Sequence, residues 1–165
     1  RVVGDLGCGT GQIAEALAPF VRRVVAIDDS EPMLAEARRR LQPHANVEVR
    51  AGDLESMPLE DAGLDAATMV LVLHHVPDPA AVLAECARVL RPGGRLLVVD
   101  MLPHDRQDLA HNMGHVWMGF DPDLVTGWMR EAGFDGVRRV PMPADPRAKG
   151  PALFVASATR GGHAG

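Results

Sequence analysis

The chain has 165 residues, 47% hydrophobic and 24% charged, which is typical of a globular domain with one core. Its net charge of −5 predicts no general affinity for nucleic acid or anionic membranes. No apolar run approaches the roughly 20 residues that cross a bilayer, and the two cysteines favour a reducing, cytoplasmic location without disulfides.

Strand-like and helix-like segments alternate, which predicts βαβ units and a mostly parallel sheet. The first five predicted strands are RVVGDL, VVAID, NVEVRAGD, LDAATMVLVL and RLLVVDM. The predicted helices run from about Gly11 to Phe20, from the N-cap Ser30 to about Leu41, and from the N-cap Asp78 to a stop at RPGG. Arg38–Arg40 are predicted to form a solvated helix end.

The pattern changes after Met101. Residues 102–120 are rich in His and Met and contain a Trp. A helix is predicted from about Pro122 to Ala132, followed by GVRRVPM and ALFVASAT as an antiparallel pair of strands. The domain is predicted to cover residues 1–160, with 161–165 as a disordered tail, and its N-terminal part is expected to lie upstream of Arg1 because the chain begins within a strand.

The first strand is followed by the turn GCGTG, in which glycines would let a ligand approach the backbone. A dinucleotide-binding turn reads G-x-G-x-x-G, but Gln12 occupies the position of its third glycine. Asp5 stands two residues before Gly7, and an acid there suits a cationic amine better than a pyrophosphate. The turn therefore favours a nucleoside with an amino group over NAD.

Acids also end the next two predicted strands, and the carboxyl ends of parallel strands meet at one edge of a sheet. Asp28 is placed to accept hydrogen bonds from two ribose hydroxyls, and Asp53 from an exocyclic amine. Asp29, beside Asp28, would repel the 2′-phosphate of NADP. An NAD-dependent oxidoreductase remains a weaker alternative, because the chain also lacks a Tyr to act as an acid.

These residues lie in segments that resemble, in order, the motifs of class I S-adenosylmethionine-dependent methyltransferases: DLGCGTG, AIDDSEPMLAEAR, AGDLESMPL, LVLHHVPDP and VLRPGGRLLVVD. The resemblance runs from about Val2 to Asp100. It implies an α/β, Rossmann-like three-layer sandwich whose mostly parallel seven-stranded sheet has the order 3-2-1-4-5-7-6, with strand 7 antiparallel.

The same resemblance implies S-adenosylmethionine as cofactor. The residues it implies for cofactor binding are Asp5, Gly7, Cys8, Gly9, Thr10, Gly11, Asp28, Asp29, Met33, Gly52, Asp53, Leu54, Val70 and Leu71. Asp5 and Thr10 would line the methionine end, and Met33 would pack near the adenine. Cys8 is interpreted as a small packing residue and not as a nucleophile.

The second half resembles methyltransferase domains fused behind ArsR-type winged-helix regulators, through DMLPHDRQDLAHNMGHVWMGF and KGPALFVASATR. This resemblance implies that DNA would be bound only through a winged helix upstream of Arg1. Two functions stay open: a methyltransferase acting on a small molecule, and a sensor module that binds S-adenosylmethionine or S-adenosylhomocysteine. A homodimer is one expected assembly, and no membrane partner is predicted.

Three histidines are the candidate catalytic residues: His75, His111 and His115. His74 and His75 follow the fourth strand, and His75 is predicted to face the pocket. His111 and His115, four residues apart, would share a helix face in the acceptor wall. Together with an acid, this spacing also occurs in metal sites, but substrate contact is the favoured interpretation, and no metal site is predicted.

Overall fold

The computed structural model describes residues 1–108, 116–143 and 145–162. The strands are β1 Val2–Leu6, β2 Arg23–Asp28, β3 Val47–Ala51, β4 Leu64–Val70, β5 Leu90–Met101, β6 Phe134–Pro141 and β7 Leu153–Arg160. The α-helices are α1 Gln12–Leu17, α2 Glu31–Leu41, α3 Pro79–Val89 and α4 Pro122–Glu131, and short 3-10 helices cover Ala18–Phe20 and Leu73–His75.

All seven strands form one sheet in the order β3-β2-β1-β4-β5-β7-β6. Neighbours from β3 to β5 are parallel, whereas β7 runs antiparallel to both β5 and β6. The predicted strand order and the antiparallel β7 are therefore confirmed. The chain leaves β1 towards β2 on one side and reaches β4 on the other, and ligands of such sheets bind in the crevice at this switch point.

Side chains of β2 alternate between two hydrophobic clusters, one on each face of the sheet. Val24 and Ala26 pack with buried residues of α1 and α2, whereas Val25 and Ile27 join the larger cluster that includes residues of α3 and α4. This alternation follows from the two-residue period of a strand. Burial on both faces explains the nearly continuous apolar runs in the sequence.

Three boundaries differ by three or more residues from the predicted ones. The first α-helix ends at Leu17 and continues as a 3-10 turn, because Pro19 has no N–H for the next helical hydrogen bond. Strand β4 ends at Val70, since Leu71 takes a left-handed φ of 58°. The RPGG segment lies inside β5, where the register with β4 shifts, and it does not separate helix from strand.

Among the described residues, no helix is both long and apolar enough to cross a membrane.

Candidate functional site

A cavity of about 770 Å³ opens at the carboxyl ends of β1, β2 and β4. It brings together most of the predicted cofactor-binding residues and one candidate catalytic residue, His75. The predicted cofactor-binding residues in its lining are Asp5, Gly7, Cys8, Gly9, Thr10, Asp28, Asp29, Met33, Asp53, Leu54, Val70 and Leu71. Two further predicted residues, Gly11 and Gly52, are not part of its lining. A Cβ atom at these positions would lie 2.9 Å from a Leu41 methyl and 2.4 Å from Pro58 Cδ, respectively, so both glycines allow close packing.

The glycine turn packs against the sheet on one side and faces open space on the other. Gly7 has φ +77°, and a Cβ there would lie 2.5 Å from a Val72 methyl. The backbone N–H groups of Gly7 and Cys8 both donate to the Ile27 carbonyl at 2.8 Å. In contrast, a Cβ on Gly9 would meet nothing within 4 Å. The backbone at Gly9 is thus accessible to a ligand.

Asp28 ties the end of β2 to this turn. Its Oδ2 accepts a hydrogen bond from the Gly9 N–H at 2.8 Å, and its Oδ1 accepts one from the Ser30 N–H at 3.0 Å. Because each carboxylate oxygen has two lone pairs, the group retains capacity to accept from hydroxyl groups. Asp29, next in the chain, is exposed on the cavity rim.

Asp5 is only 2% exposed, at the end of β1. Its Oδ2 accepts from the Ala14 N–H in α1 at 3.0 Å, and the Thr68 hydroxyl lies 3.4 Å from its Oδ1. Burial raises the pKa of Asp5 from 3.8 to about 6, and the negative charge of Asp28 adds to this rise. A cation in the cavity would therefore stabilise the ionised form of Asp5.

The far side of the cavity combines an acceptor with apolar groups. Asp53 is exposed, and its Oδ1 accepts from the Glu55 N–H at 2.8 Å. Leu54 is buried beside it, and Met33 is 45% exposed. A planar base fits such a wall, because apolar side chains cover its faces while a carboxylate meets its amine.

The two cysteines are chemically quiet. Burial raises the pKa of the Cys8 thiol and of the Cys86 thiol to about 12. The thiolate is the nucleophilic form of cysteine, so neither side chain is reactive near neutral pH. This is consistent with the interpretation of Cys8 as a packing residue.

The two adjacent histidines have different surroundings. His75 is exposed and lines the cavity. The His74 side chain is 1% exposed, and its Nδ1 lies 2.8 Å from Asp100 Oδ1. The other two candidate catalytic residues, His111 and His115, lie outside the described residues. In the part of the chain that the structure describes, no group of three or more His, Cys, Asp or Glu is placed to hold a metal ion.

Several parts of the site were not predicted from the sequence. Further residues line the cavity, namely Gln12, Ile13, Ser30, Glu55, Val72, Val76 and Pro77. Arg40 is another, because it contacts the glycine turn. The prediction that the end of α2 is solvated is correct for Arg38 and Arg39, which pair with Glu31 and Glu36 at the surface. The prediction is wrong for Arg40. The Arg40 Nε donates to the Thr10 carbonyl at 3.0 Å, and its Nη1 donates to Glu15 at 3.1 Å. Arg40 lies three residues after the buried Ala37, and this spacing could have indicated that Arg40 lies near the buried face of the helix.

This sheet order, with a glycine turn after β1 and acids at three neighbouring strand ends, defines the class I methyltransferase type of Rossmann-like fold. A family profile described as "Methyltransferase domain" matches residues 4–98, which is more than half of the chain. The chain belongs to this family and is an S-adenosylmethionine-dependent methyltransferase domain, with S-adenosylmethionine as its cofactor.

Similar proteins support this assignment. The chain is 41% identical over 98 residues to a probable S-adenosylmethionine-dependent methyltransferase of Mycolicibacterium smegmatis, covering 59% of this chain and 37% of that protein. It is 33% identical over 146 residues to a ubiquinone biosynthesis O-methyltransferase of Hahella chejuensis, covering 79% and 61%. An S-adenosylmethionine-dependent methyltransferase structure from Mesorhizobium loti shares the fold, with a TM-score of 0.80 at 23% identity over 97% of this chain and 90% of that one.

The chain is shorter than its relatives, and spans 28–40% of the length of several curated proteins that it matches.

The residues at the cavity fit this cofactor. The open backbone at Gly9 lets a ligand lie against the turn, and Asp28 keeps acceptor capacity for a diol. The buried Asp5 suits the positively charged end of an amino acid.

Proposed function

We propose that this domain transfers the methyl group of S-adenosylmethionine to a small organic acceptor. One observation carries the proposal: the acids and glycines suited to the cofactor share a single cavity with His75. Donor and acceptor would then lie side by side. Methyl transfer needs mainly this alignment, since holding two reactants together accelerates a displacement strongly.

The bound cofactor supplies a methyl group activated by a positively charged sulfur. The chain's own residues bind and orient the two reactants. We infer that Asp28 and the backbone at Gly9 hold the nucleoside, and that Asp5 faces the charged amino acid end. For an acceptor that carries a proton, His75 is the candidate base, because it is exposed on the cavity wall.

Three features support a small acceptor without a negative charge. The cavity volume of about 770 Å³ lies within the range of small-molecule sites. Several carboxylates line the cavity, whereas no Lys or Arg does so among the described residues, so a neutral or cationic acceptor is favoured electrostatically. The Hahella chejuensis relative is named for ubiquinone biosynthesis, which involves small organic molecules.

We infer that residues 102–120 complete the acceptor wall, with His111 and His115 as further candidate contacts. Among the described residues of this segment, Val116 and Trp117 donate hydrogen bonds to His74 and Val76, the neighbours of His75. Its proximity to His75 is what supports this inference.

The test is transfer of tritium from S-adenosyl-[methyl-³H]methionine to a panel of phenols, catechols, amines and thiols. His75→Ala should lower kcat at least about 100-fold for a protic acceptor, the range expected on loss of a general base. S-adenosylhomocysteine affinity should stay within about threefold, because His75 carries no cofactor contact in this proposal. His44→Ala, on a histidine outside the cavity lining, is the control and should retain full activity.

Absence of product with every class of acceptor would contradict the proposal. The alternative is the sensor module fused to an ArsR-type winged helix. Cofactor binding would then change the DNA affinity of the full-length protein, by a coupling of about 1–3 kcal/mol.

A further inference from the structure

A carboxylate and an imidazole are buried together beside the cavity but outside its lining. Asp100, near the end of β5, has a side chain that is 0% exposed, and the side chain of His74 is 1% exposed. His74 Nδ1 and Asp100 Oδ1 are 2.8 Å apart, and a carboxylate in its ionised form only accepts, so Nδ1 is the donor in a contact with that form. Burying such groups is costly unless they are hydrogen-bonded. An apolar pair of similar size would fill the space at a lower cost.

Asp100 holds more than the imidazole ring. Its Oδ1 also accepts from the Met101 N–H at 2.8 Å, and its Oδ2 accepts from the His74 backbone N–H at 3.4 Å. One carboxylate thus connects the end of β5 to both the ring and the backbone of the turn Leu73–His75. These contacts together fix the orientation of the turn relative to the sheet.

The same turn also binds Val116 and Trp117, which lie near the end of the segment 102–120. The His74 carbonyl accepts from the N–H groups of Val116 and Trp117, at 2.9 and 3.0 Å. The indole N–H of Trp117 donates to the Val76 carbonyl at 3.0 Å. The position of the His74 backbone therefore contributes to holding Val116 and Trp117 in place.

His75, the candidate base, follows His74 directly, and the two ring centroids are 4.0 Å apart. We propose that Asp100 and His74 form a positioning pair, which orients His75 and residues 116–118 around the acceptor without touching acceptor or cofactor. This inference rests on the proposed function for the role of His75. The pair joins the turn that carries His75 to the end of β5 through one buried carboxylate.

Two substitutions at His74 separate positioning from packing. His74→Leu fills the space but has no donor, whereas His74→Asn places an amide N–H close to the position of Nδ1. If the pair acts by positioning, Asn retains the function and Leu loses it. If the histidine only fills the core, the order reverses, because Leu packs better than Asn.

Hydrogen exchange of the full chain, with S-adenosylhomocysteine as the ligand, provides the readout. In His74→Leu, the amides of Val116 and Trp117 should exchange at least about tenfold faster, as expected of a local opening. In His74→Asn they should keep their protection. Amides of β1 and β2 should be unchanged in both, and S-adenosylhomocysteine affinity should stay within about threefold. If His74→Leu does not fold, Asp100→Asn provides a second test, since its amide nitrogen replaces one of the two acceptor oxygens with little change in shape.

Unchanged exchange at Val116 and Trp117 in His74→Leu and in Asp100→Asn would overturn the inference. A second readout is methyl transfer to the panel acceptor with the highest turnover, where His74→Leu should lower kcat about tenfold or more and leave KM for S-adenosylmethionine nearly unchanged. If the unsubstituted chain methylates no acceptor, the proposed function fails, while the exchange experiment still decides whether the pair orients the turn.

Discussion

At the scale of single residues, the acids of the site also hold the fold together. Asp28 accepts hydrogen bonds from the Gly9 and Ser30 N–H groups, so it shapes the glycine turn and faces the cavity with the same carboxylate. Asp5 likewise accepts from the first turn of α1 while lining the cavity. Substitutions at these acids should therefore change ligand affinity and stability together.

Asp28→Ala should weaken S-adenosylhomocysteine binding at least about tenfold, since a hydrogen bond to a charged group contributes about 1.5–3 kcal/mol. The turn also loses its anchor at Gly9. Calorimetric titration of the two proteins measures the effect. Asp135→Ala is the matched control, because Asp135 is exposed and lies outside the cavity lining, so affinity should change little. Equal affinities of Asp28→Ala and the unsubstituted chain would refute the proposal that Asp28 binds the ribose hydroxyls of the cofactor.

Asp5→Asn should stabilise the unliganded fold at neutral pH and weaken cofactor binding. The pKa of Asp5 is about 6 when folded and 3.8 in its ordinary state, so the folded chain binds more protons between these values. Asp5 therefore lowers the free energy of unfolding as pH rises from about 4 to 6, and this loss of stability persists above pH 6. The variant should gain up to about 3 kcal/mol at about pH 7.5 and nothing near pH 4, at about 1.4 kcal/mol per pKa unit.

Urea unfolding at both pH values measures this gain. Asp65→Asn is the control with the opposite sign, because the Val2 N–H lowers the pKa of Asp65 and its carboxylate stabilises the fold at neutral pH. A gain for Asp5→Asn that is equal at both pH values would show that ionisation of Asp5 is not the cause.

At the scale of elements, the glycine turn is held from three directions. Ile27 and Asp28 of β2 accept hydrogen bonds from N–H groups of the turn. Val72, which follows β4, packs against Gly7. Arg40 of α2 donates a hydrogen bond to the Thr10 carbonyl. The turn belongs to none of these elements. Its conformation therefore depends on how helix α2 packs on the sheet.

Arg40→Ala should weaken S-adenosylhomocysteine binding about three- to tenfold, since the lost hydrogen bond to Thr10 involves a charged donor. Arg39→Ala, one residue earlier, removes only a surface pair with Glu36 and should leave affinity unchanged. Titration calorimetry on both variants makes the comparison. If the two variants bind alike, Arg40 does not support the turn.

At the scale of the whole molecule, the sheet places its ligand where dinucleotide-binding folds do, at the switch point between β1 and β4. The difference lies in the chemistry of the strand ends. Asp5, Asp28 and Asp29 line the cavity, and the described lining contains no Arg that could meet a phosphate. The fold therefore predicts the place of binding, and the charges of these residues favour S-adenosylmethionine over a dinucleotide.

Neither NADH nor NADPH should bind in the micromolar range, because a pyrophosphate on the glycine turn would lie close to the carboxylate of Asp5. Fluorescence titration of each cofactor checks this, with S-adenosylhomocysteine as competitor. Saturable binding of NADH that S-adenosylhomocysteine displaces would overturn the choice of ligand class.

The sequence by itself determined the features that depend on neighbouring residues. Apolar runs located the buried strands, and Asp78 caps α3 as predicted. The glycines and acids proposed to bind the cofactor lie at the carboxyl ends of predicted strands or just after them, so strand prediction alone placed them at one edge of the sheet.

Only the tertiary structure decided contacts between residues far apart in the chain. Arg40 meets Thr10 because α2 packs beside α1, and His74 meets Asp100 because β4 and β5 are neighbours in the sheet. The spacing from Ala37 indicates only that Arg40 lies near the buried face of α2, and a histidine after a strand is compatible with exposure. Neither local pattern identifies the partner residue. Their partners follow from strand order and helix packing, which bury one histidine of an adjacent pair and leave the other on the cavity wall.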